Sequence, residues 1–304
     1  MPSRSRLRNK RRVSALIASL ALLCLCARGS RADTKYSVRG LVLKVDKARQ
    51  RFVASCESIP GYMDAMVMAY PVRDSKELEG LAPGAIIDFT LVVEREMAYA
   101  ENVHVRRYQS VEQDPETTRR LKLLDGAFGS PTVKMLDAGQ LVPEFVLTDQ
   151  NRRRVALSQF AGKVVLMNFI YTRCALPDFC LRISSNFGVL QRRFKARMGK
   201  ELIFLTVTFD PVHDTPEVME HYASIWKADP ETWRFLTGST SEIARVCSWF
   251  GVEFFPDEGL MDHSLHTAII DPSGKLVANL EGNEYTAEQL GDLVETVMDR
   301  SSVR

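Results

Sequence analysis

Cysteine is scarce in this chain, with six in 304 residues. Cys24 and Cys26 fall in an apolar N-terminal stretch, which leaves Cys56, Cys174, Cys180 and Cys247 for the rest. That is too few for a fold stapled by disulfides, so each remaining thiol needs its own explanation. Charge of one sign is also missing. Lys and Arg total 40 against 38 Asp and Glu, a formal net charge of +2. Basic residues are scattered, apart from the N-terminal cluster and "RRR" at 152–154, which reads as a solvated turn. A nucleic-acid interface needs basic residues clustered on one face, so no nucleic-acid partner is expected. No internal repeat is visible.

The N-terminus lacks acid and lacks length. "MPSRSRLRNKRR" has no acidic residue, and the run that follows, "VSALIASLALLCLCA", is short of the roughly 20 residues of a membrane span. Small residues then lead to "SRA" before Asp33. A positive segment, a short apolar segment and a small-residue cleavage site make a secretory signal over 1–32, cleaved after Ala32. If uncleaved, the same segment is a membrane tether. Leu precedes both Cys24 and Cys26 where a lipoprotein signal carries a small residue, so lipidation is not expected. The mature protein is placed outside the cytoplasm, in the periplasm or on the outer membrane face, where disulfides persist.

What the chain does have is two kinds of patterning. Residues 33–108 carry short alternating or β-branched runs: "YSVRGLVLKVD", "RFVASC", "AMVMAYPV", "AIIDFTLVV" and "YAENVHVRRY". About five strands in so short a length suit a small all-β, OB-like barrel. Residues 109–140 are polar with little periodicity, and read as a flexible linker with a short helix near Thr117–Leu124. From 141 to 304, strands alternate with helices. "KVVLMNFIYT" and "ELIFLTVTFD" are buried parallel-strand runs. "RISSNFGVLQRRFKAR" has helical spacing, Thr215 caps a helix with Pro216 at its first position, and Ser241 is the candidate cap of the next. "HTAIIDPSGKLVANLEG" is a hairpin, and "TAEQLGDLVETVMDR" a closing helix. The whole is an α/β thioredoxin-like domain.

Cys174 and Cys180 lie in "YTRCALPDFC", where a buried strand gives way to a helix. The carboxyl ends of parallel strands are where α/β sites form, and a helix start stabilises thiolate. Pro177 and Asp178 mark that start and put Cys180 in the first turn. Three readings are open: a structural disulfide, a redox pair, or two soft ligands. "MDHSLHT" adds His263 and His266 before the late strand, beside the cysteine loop in a thioredoxin-like sheet. Two thiolates and one imidazole suit Cu(I), and the imidazole also tolerates Cu(II). Zinc would normally want a fourth ligand. His266 reads as a strand-start surface residue, His213 as a turn residue and Cys247 as a buried core thiol. In the first domain Met66 and Met68 share one strand face, Met63 precedes them and Cys56 closes the previous strand. These are either packed core or a soft-metal site.

"NFIYTRCALPDFC", "TVTFDPVHDTPE", "WRFLTG" and "DHSLHTAIIDPSGKLV" together resemble the Sco/SenC family of copper chaperones over about 141–300. The resemblance implies a thioredoxin-like fold and delivery of copper to the binuclear copper centre of a respiratory (cytochrome c) oxidase, whose copper-accepting subunit is the partner. It implies copper ligands Cys174, Cys180 and His263, the last standing nine residues before Pro272, with Asp210 close by. The chain departs from the family in having five residues rather than three between the cysteines, and Leu181 where proline often follows. The first domain is similar to CusF-like copper-binding barrels: Met66 and Met68 match the family's methionine pair, and Cys56 stands in the place of its histidine. Met63 falls where those barrels carry tryptophan, so no cation–π cap is expected. The alternative function, a thiol–disulfide reductase that maintains the acceptor's cysteines, uses the same pair. A peroxidase with Cys174 as nucleophile lacks an evident general base. A purely structural interaction module leaves the soft ligands without purpose.

Overall fold

The computed structural model describes residues 33–95, 97–107, 135–257 and 260–302. The leader with its cleavage site, and the short helix expected near Thr117–Leu124, lie outside them. Among the described residues no helix is long and apolar enough to cross a membrane.

Alternation in the first region produces a curled antiparallel sheet. β1 (Thr34–Asp46), β2 (Arg51–Cys56), β3 (Met66–Pro71), β4 (Ile86–Val93) and β5 (Ala98–Val105) pair in the order β3-β2-β1-β4-β5. A bulge between Val42 and Lys44 deepens the twist of the long β1. The two edge strands approach at a parallel bridge between Val72 and Ala100. The inner face encloses Phe52, Tyr70 and Phe89, with ring centroids 4.9 to 5.5 Å apart.

The second region is a seven-stranded mixed sheet. Its elements are β6 (Val146–Asp149), β7 (Arg154–Ala156), β8 (Val164–Ile170), α1 (Arg182–Arg193), β9 (Leu202–Thr208), α2 (Pro216–Ile225), β10 (Trp233–Thr237), α3 (Thr240–Trp249), β13 (His266–Ile270), β14 (Leu276–Glu281) and α4 (Ala287–Ser302). A small separate hairpin, β11 (Phe254–Asp257) and β12 (Leu260–His263), precedes β13. The sheet order is β14-β13-β8-β9-β10-β6-β7. β8, β9 and β10 are parallel, joined through α1 and α2, and β13 runs antiparallel beside β8. Every residue of β8 and β9 is buried, as a sheet covered on both faces demands. This is the thioredoxin-like arrangement expected from the alternating pattern, with β10 and the β11–β12 hairpin added to it.

Three local expectations meet the structure differently. Thr215 does cap α2, accepting from the Val218 amide, with Pro216 following. Ser241 does not cap α3. Ser239 does, because Glu242 stands three residues after it and returns the bond to the Ser239 amide, a reciprocal pair that Ser241 has no acid to complete. The "RRR" turn is solvated but not idle: Arg153 pairs with Asp149 at 3.0 Å and Glu231 at 2.7 Å, and Arg152 pairs with Glu217.

The two sheets meet along a seam. Leu41 and Leu43 of β1 join the larger sheet's core. α4 lies against β1 and β2: Gln289 Nε2 donates to the Ser55 carbonyl at 3.1 Å, Ser55 Oγ donates to Asp292 at 2.6 Å, and Arg300 donates to the Leu43 carbonyl at 3.1 Å. Arg106, just after β5, donates to Glu284 at 3.1 Å. Gly84 (φ +89°) permits the close approach, since a Cβ there would stand 2.9 Å from the Ala278 Cβ. Burial of apolar strand residues and polar pairs at one seam outweighs the freedom a linker allows.

Candidate metal centre

β8 delivers the first of three candidate ligands. Its buried run ends at Ile170, and Tyr171, Thr172 and Arg173 lead to Cys174 at the carboxyl end of the parallel strands. This loop is pinned by a buried acid. Asp214 accepts from the Thr172 amide at 3.1 Å and from the Thr172 and Thr208 hydroxyls at 2.5 Å each. Burial pushes the Asp214 carboxyl up, and the threonine hydrogen bonds oppose it. Asp210, expected close by, binds Arg173 at 2.7 Å and His213 Nδ1 at 2.8 Å, so it braces the residue next to Cys174 rather than the sulfur itself.

The second ligand comes from an irregular turn. Pro177–Leu181 forms one wide turn in which Phe179 is non-helical (φ −104°, ψ −114°), and α1 proper starts at Arg182. Cys180 therefore sits in the lead-in to the helix, not in its first regular turn. The five intervening residues allow its sulfur to fold back toward Cys174. The third ligand ends the β11–β12 hairpin. His263 is buried, and its Nδ1 lies 3.1 Å from the Ser264 carbonyl. A carbonyl only accepts, so Nδ1 donates to it and Nε2 is the ring atom that faces the sulfurs. That Nε2 is 3.9 Å from both the Cys174 and the Cys180 sulfur.

All three donor atoms lie within 4.8 Å of one another, and neither cysteine is in a disulfide. With bonds the size zinc shows, about 2.0 Å to nitrogen and 2.3 Å to sulfur, a trigonal ion would separate the two donors by about 3.7 Å. The donor set thus fits a soft cation with little rearrangement. Rings enclose it: Tyr171, Phe179 and Phe209 stand 5.4, 5.8 and 4.9 Å from the His263 ring. The two thiols are electrically unequal. A hydrogen bond from the Cys180 thiol holds Cys174 well below the usual thiol range against the opposing effect of burial, with His263 adding to the pull. Burial first, and the Cys174 sulfur second, hold Cys180 well above it.

The first sheet brings part of its expected set together. Cys56 and Met66 are direct partners across β2 and β3, and Met68 stands opposite Ala54 on the same face. Met63 bridges to Ile59 and packs at the edge of the inner core. Cys56 is 1% exposed while Met66 is 44% exposed, so the cluster runs from the interior to the surface. Burial pushes the Cys56 thiol up to about 11.

His266 corrects its expectation. It starts β13 but is buried, with Nδ1 3.3 Å from Asn279 Oδ1, and burial pulls its ring down to about 4. The turn at Gly251 after α3 stands against its ring, where a Cβ would lie 3.6 Å from the His266 Cε1, and no local pattern announced that neighbour. Cys247 is a core thiol as expected, and His213 lies in the turn after β9. Sequence reasoning missed Asp214, Phe179 and the aromatic enclosure. Asp214 had a signal, an acid directly before the helix cap, but burial is what gives it its role.

Among relatives, the chain is 31% identical to protein sco1 of Schizosaccharomyces pombe over 159 residues, covering 50% of this chain and 58% of that one. It is 26% identical to the SCO1 protein homolog of Bacillus subtilis over 167 residues, 54% of this chain and 84% of that one. Yeast Sco1 crystallised with copper bound is 28% identical, with a TM-score of 0.44 over 51% of this chain and 87% of that structure. The family model described as SCO1/SenC matches residues 133–299, more than half of the chain and all three converging ligands. This chain is a member of the SCO1/SenC family.

Proposed function

We propose that this protein is a copper chaperone that delivers copper to the binuclear copper centre of a respiratory oxidase. The observation that carries the reading is the meeting of two buried sulfurs and one imidazole nitrogen within 4.8 Å, from positions far apart in sequence. Such a set is soft, three-membered and enclosed, which suits a cation that must be held and then surrendered. Reduced Cys174, Cys180 and His263 bind one copper. Cys174 is 7% exposed and Cys180 not at all, so an acceptor's thiolate displaces Cys174 first and Cys180 last. The leader supports extracytoplasmic work, with a membrane tether if it stays uncleaved.

Residues 33–108 are read as an OB-like barrel with a second Cu(I) site formed by Cys56, Met66 and Met68, with Met63 beside them. The strand order and the Val72–Ala100 bridge support the barrel, and the Cys56–Met66 pairing supports the site. Residues 109–140 link it to the thioredoxin-like domain at 141–304. Because the two are docked, transfer between the sites does not rest on a swinging tether.

One observation favours a second reading, a thiol–disulfide reductase acting on the acceptor's cysteines. The split acidity of Cys174 and Cys180 is what attack by one thiolate and resolution by its neighbour require. Anaerobic Cu(I) titration of the reduced protein against a competing chelator separates the two. A chaperone binds one copper at this site, and His263→Ala weakens it at least tenfold while sparing dithiol reactivity. Full affinity in His263→Ala counts against delivery and for the reductase.

A further inference from the structure

Tyr70 is buried in the same cluster as Cys56, and its hydroxyl is not used by the proposed second copper site. It stands on the same face of β3 as Met66 and Met68, four and two residues away along the strand. It is 1% exposed, and its hydroxyl has no hydrogen-bond partner among the described residues. The nearby Cys56 sulfur is fixed in place. It occupies the space over Gly40, where a Cβ would come within 2.7 Å of it. An orphaned hydroxyl in an apolar interior destabilises the protein in which it is found. A hydroxyl left without a partner there is free to serve one that the site acquires.

We infer that Tyr70 is a positioning residue that donates its hydroxyl hydrogen to the Cys56 sulfur when that sulfur is a metal-bound thiolate. The inference rests on the reading of Cys56, Met66 and Met68 as a soft-cation site. A buried thiol is a weak acceptor, whereas a thiolate carries full negative charge that the barrel interior does not otherwise stabilise. When Cu(I) enters past the exposed Met66, the Cys56 S–H proton leaves to solvent, a copper–sulfur bond forms, and no electron is transferred. The thiolate then accepts from Tyr70. Methionine ligands need no such donor because their sulfur is neutral.

The test uses the full chain carrying Cys174→Ser and Cys180→Ser, so that the thioredoxin-like site is silent. Cu(I) is titrated anaerobically against a chelator. Tyr70→Phe is expected to lower affinity about tenfold, the size of one hydrogen bond to a charged group. The same substitution in the copper-free protein leaves the melting temperature unchanged or raises it, because it removes an unsatisfied hydroxyl. In a Cys56→Met background, where no thiolate forms, Tyr70→Phe changes affinity less than twofold. Unchanged affinity in the Cys56 protein, or an equal loss in the Cys56→Met protein, overturns the inference while leaving the second site standing. Cys56→Ser binding as tightly as Cys56 overturns both together. If Tyr70→Phe does not fold, the tyrosine Raman doublet of the unsubstituted hydroxyl gives the answer. Copper loading must shift it in a way that Cys56→Ser abolishes, and no shift overturns the inference.

Discussion

Cys174 and Cys180 reach His263 across 89 and 83 residues of sequence, whereas Cys56 reaches Met66 across a single strand pairing. The first set exists only when a seven-stranded sheet, an irregular turn and a hairpin roof have all formed. The second needs one register between two strands. The sets also differ in charge: a neighbouring thiol lowers Cys174, while a nearly dry interior raises Cys56. A site assembled from distant parts is rigid, enclosed and already part-ionised. The site proposed on one hairpin is open at Met66, and burial holds its thiol toward the neutral form.

The largest effect to expect is on copper binding. Replacing either Cys174 or Cys180 by serine removes one of two charged soft donors from a three-ligand set, and affinity there should fall at least 100-fold. Cys56→Ser should leave that site within twofold. Separate stoichiometries in a chelator competition check both. If Cys56→Ser abolished binding at the thioredoxin-like site, the independence of the two regions would be gone.

The next comparison is pH. Cys174 is depressed in the folded chain, so its thiolate persists at neutral pH. The stability it contributes is full above the ordinary thiol range and is lost as pH falls toward its folded value. Cys56 is raised to about 11, so its contribution is full below the ordinary range and is lost as pH rises through about 11. Alkylation of the reduced, metal-free protein at pH 7, mapped by mass spectrometry, should modify Cys174 at least 100-fold faster than Cys56. Cys56 labelling should climb only as pH approaches 11. Equal rates at pH 7 would erase the electrical contrast between the regions.

That contrast also marks how much could be read from the sequence. The strands of the first region, and the helices and most strands of the second apart from β10, β11 and β12, were legible because their periodicity is strong and local. The convergence of Cys174, Cys180 and His263 was legible through motif resemblance. What could not be read depends on tertiary neighbours. Phe179 is an unremarkable aromatic until its ring meets His263. His266 looks like a surface residue until the Gly251 turn and Asn279 come against its ring. Ser241 and Ser239 are both plausible caps by residue type, and only the spacing to Glu242 decides between them. The docking of the two sheets rests on Leu41, Leu43 and Gly84, whose roles follow from what α4 and β14 bring against them.

Docking itself can be broken. Gly84 combines a positive φ with a 2.9 Å approach to Ala278, so Gly84→Val strains the backbone and drives the sheets apart. A loss of about 2–3 kcal/mol in unfolding free energy is expected, from the φ penalty and the overpacking together. Denaturant unfolding measures it. Copper affinity at Cys174 and Cys180 should stay within threefold, because that loop is anchored by Asp214 and not by the first sheet. An unchanged midpoint would mean that the seam carries no stability.

The smallest effect is the most specific. Ser55 precedes Cys56, points away from the inner face and donates to Asp292, which Arg193 of α1 also binds at 2.7 Å. Ser55→Ala removes a neutral donor from a carboxylate that keeps its arginine. Asp292 is therefore left partly satisfied, and the cost should be about 1 kcal/mol. The Ser55 carbonyl still receives the Gln289 amide, because that bond is to the backbone. The alanine thus loosens the seam without moving the strand that carries Cys56. Stability should fall slightly while Cu(I) affinity at Cys56 holds. If affinity fell with stability, the strand's register would depend on α4, and the first region's site would be as much a product of long-range assembly as the second's.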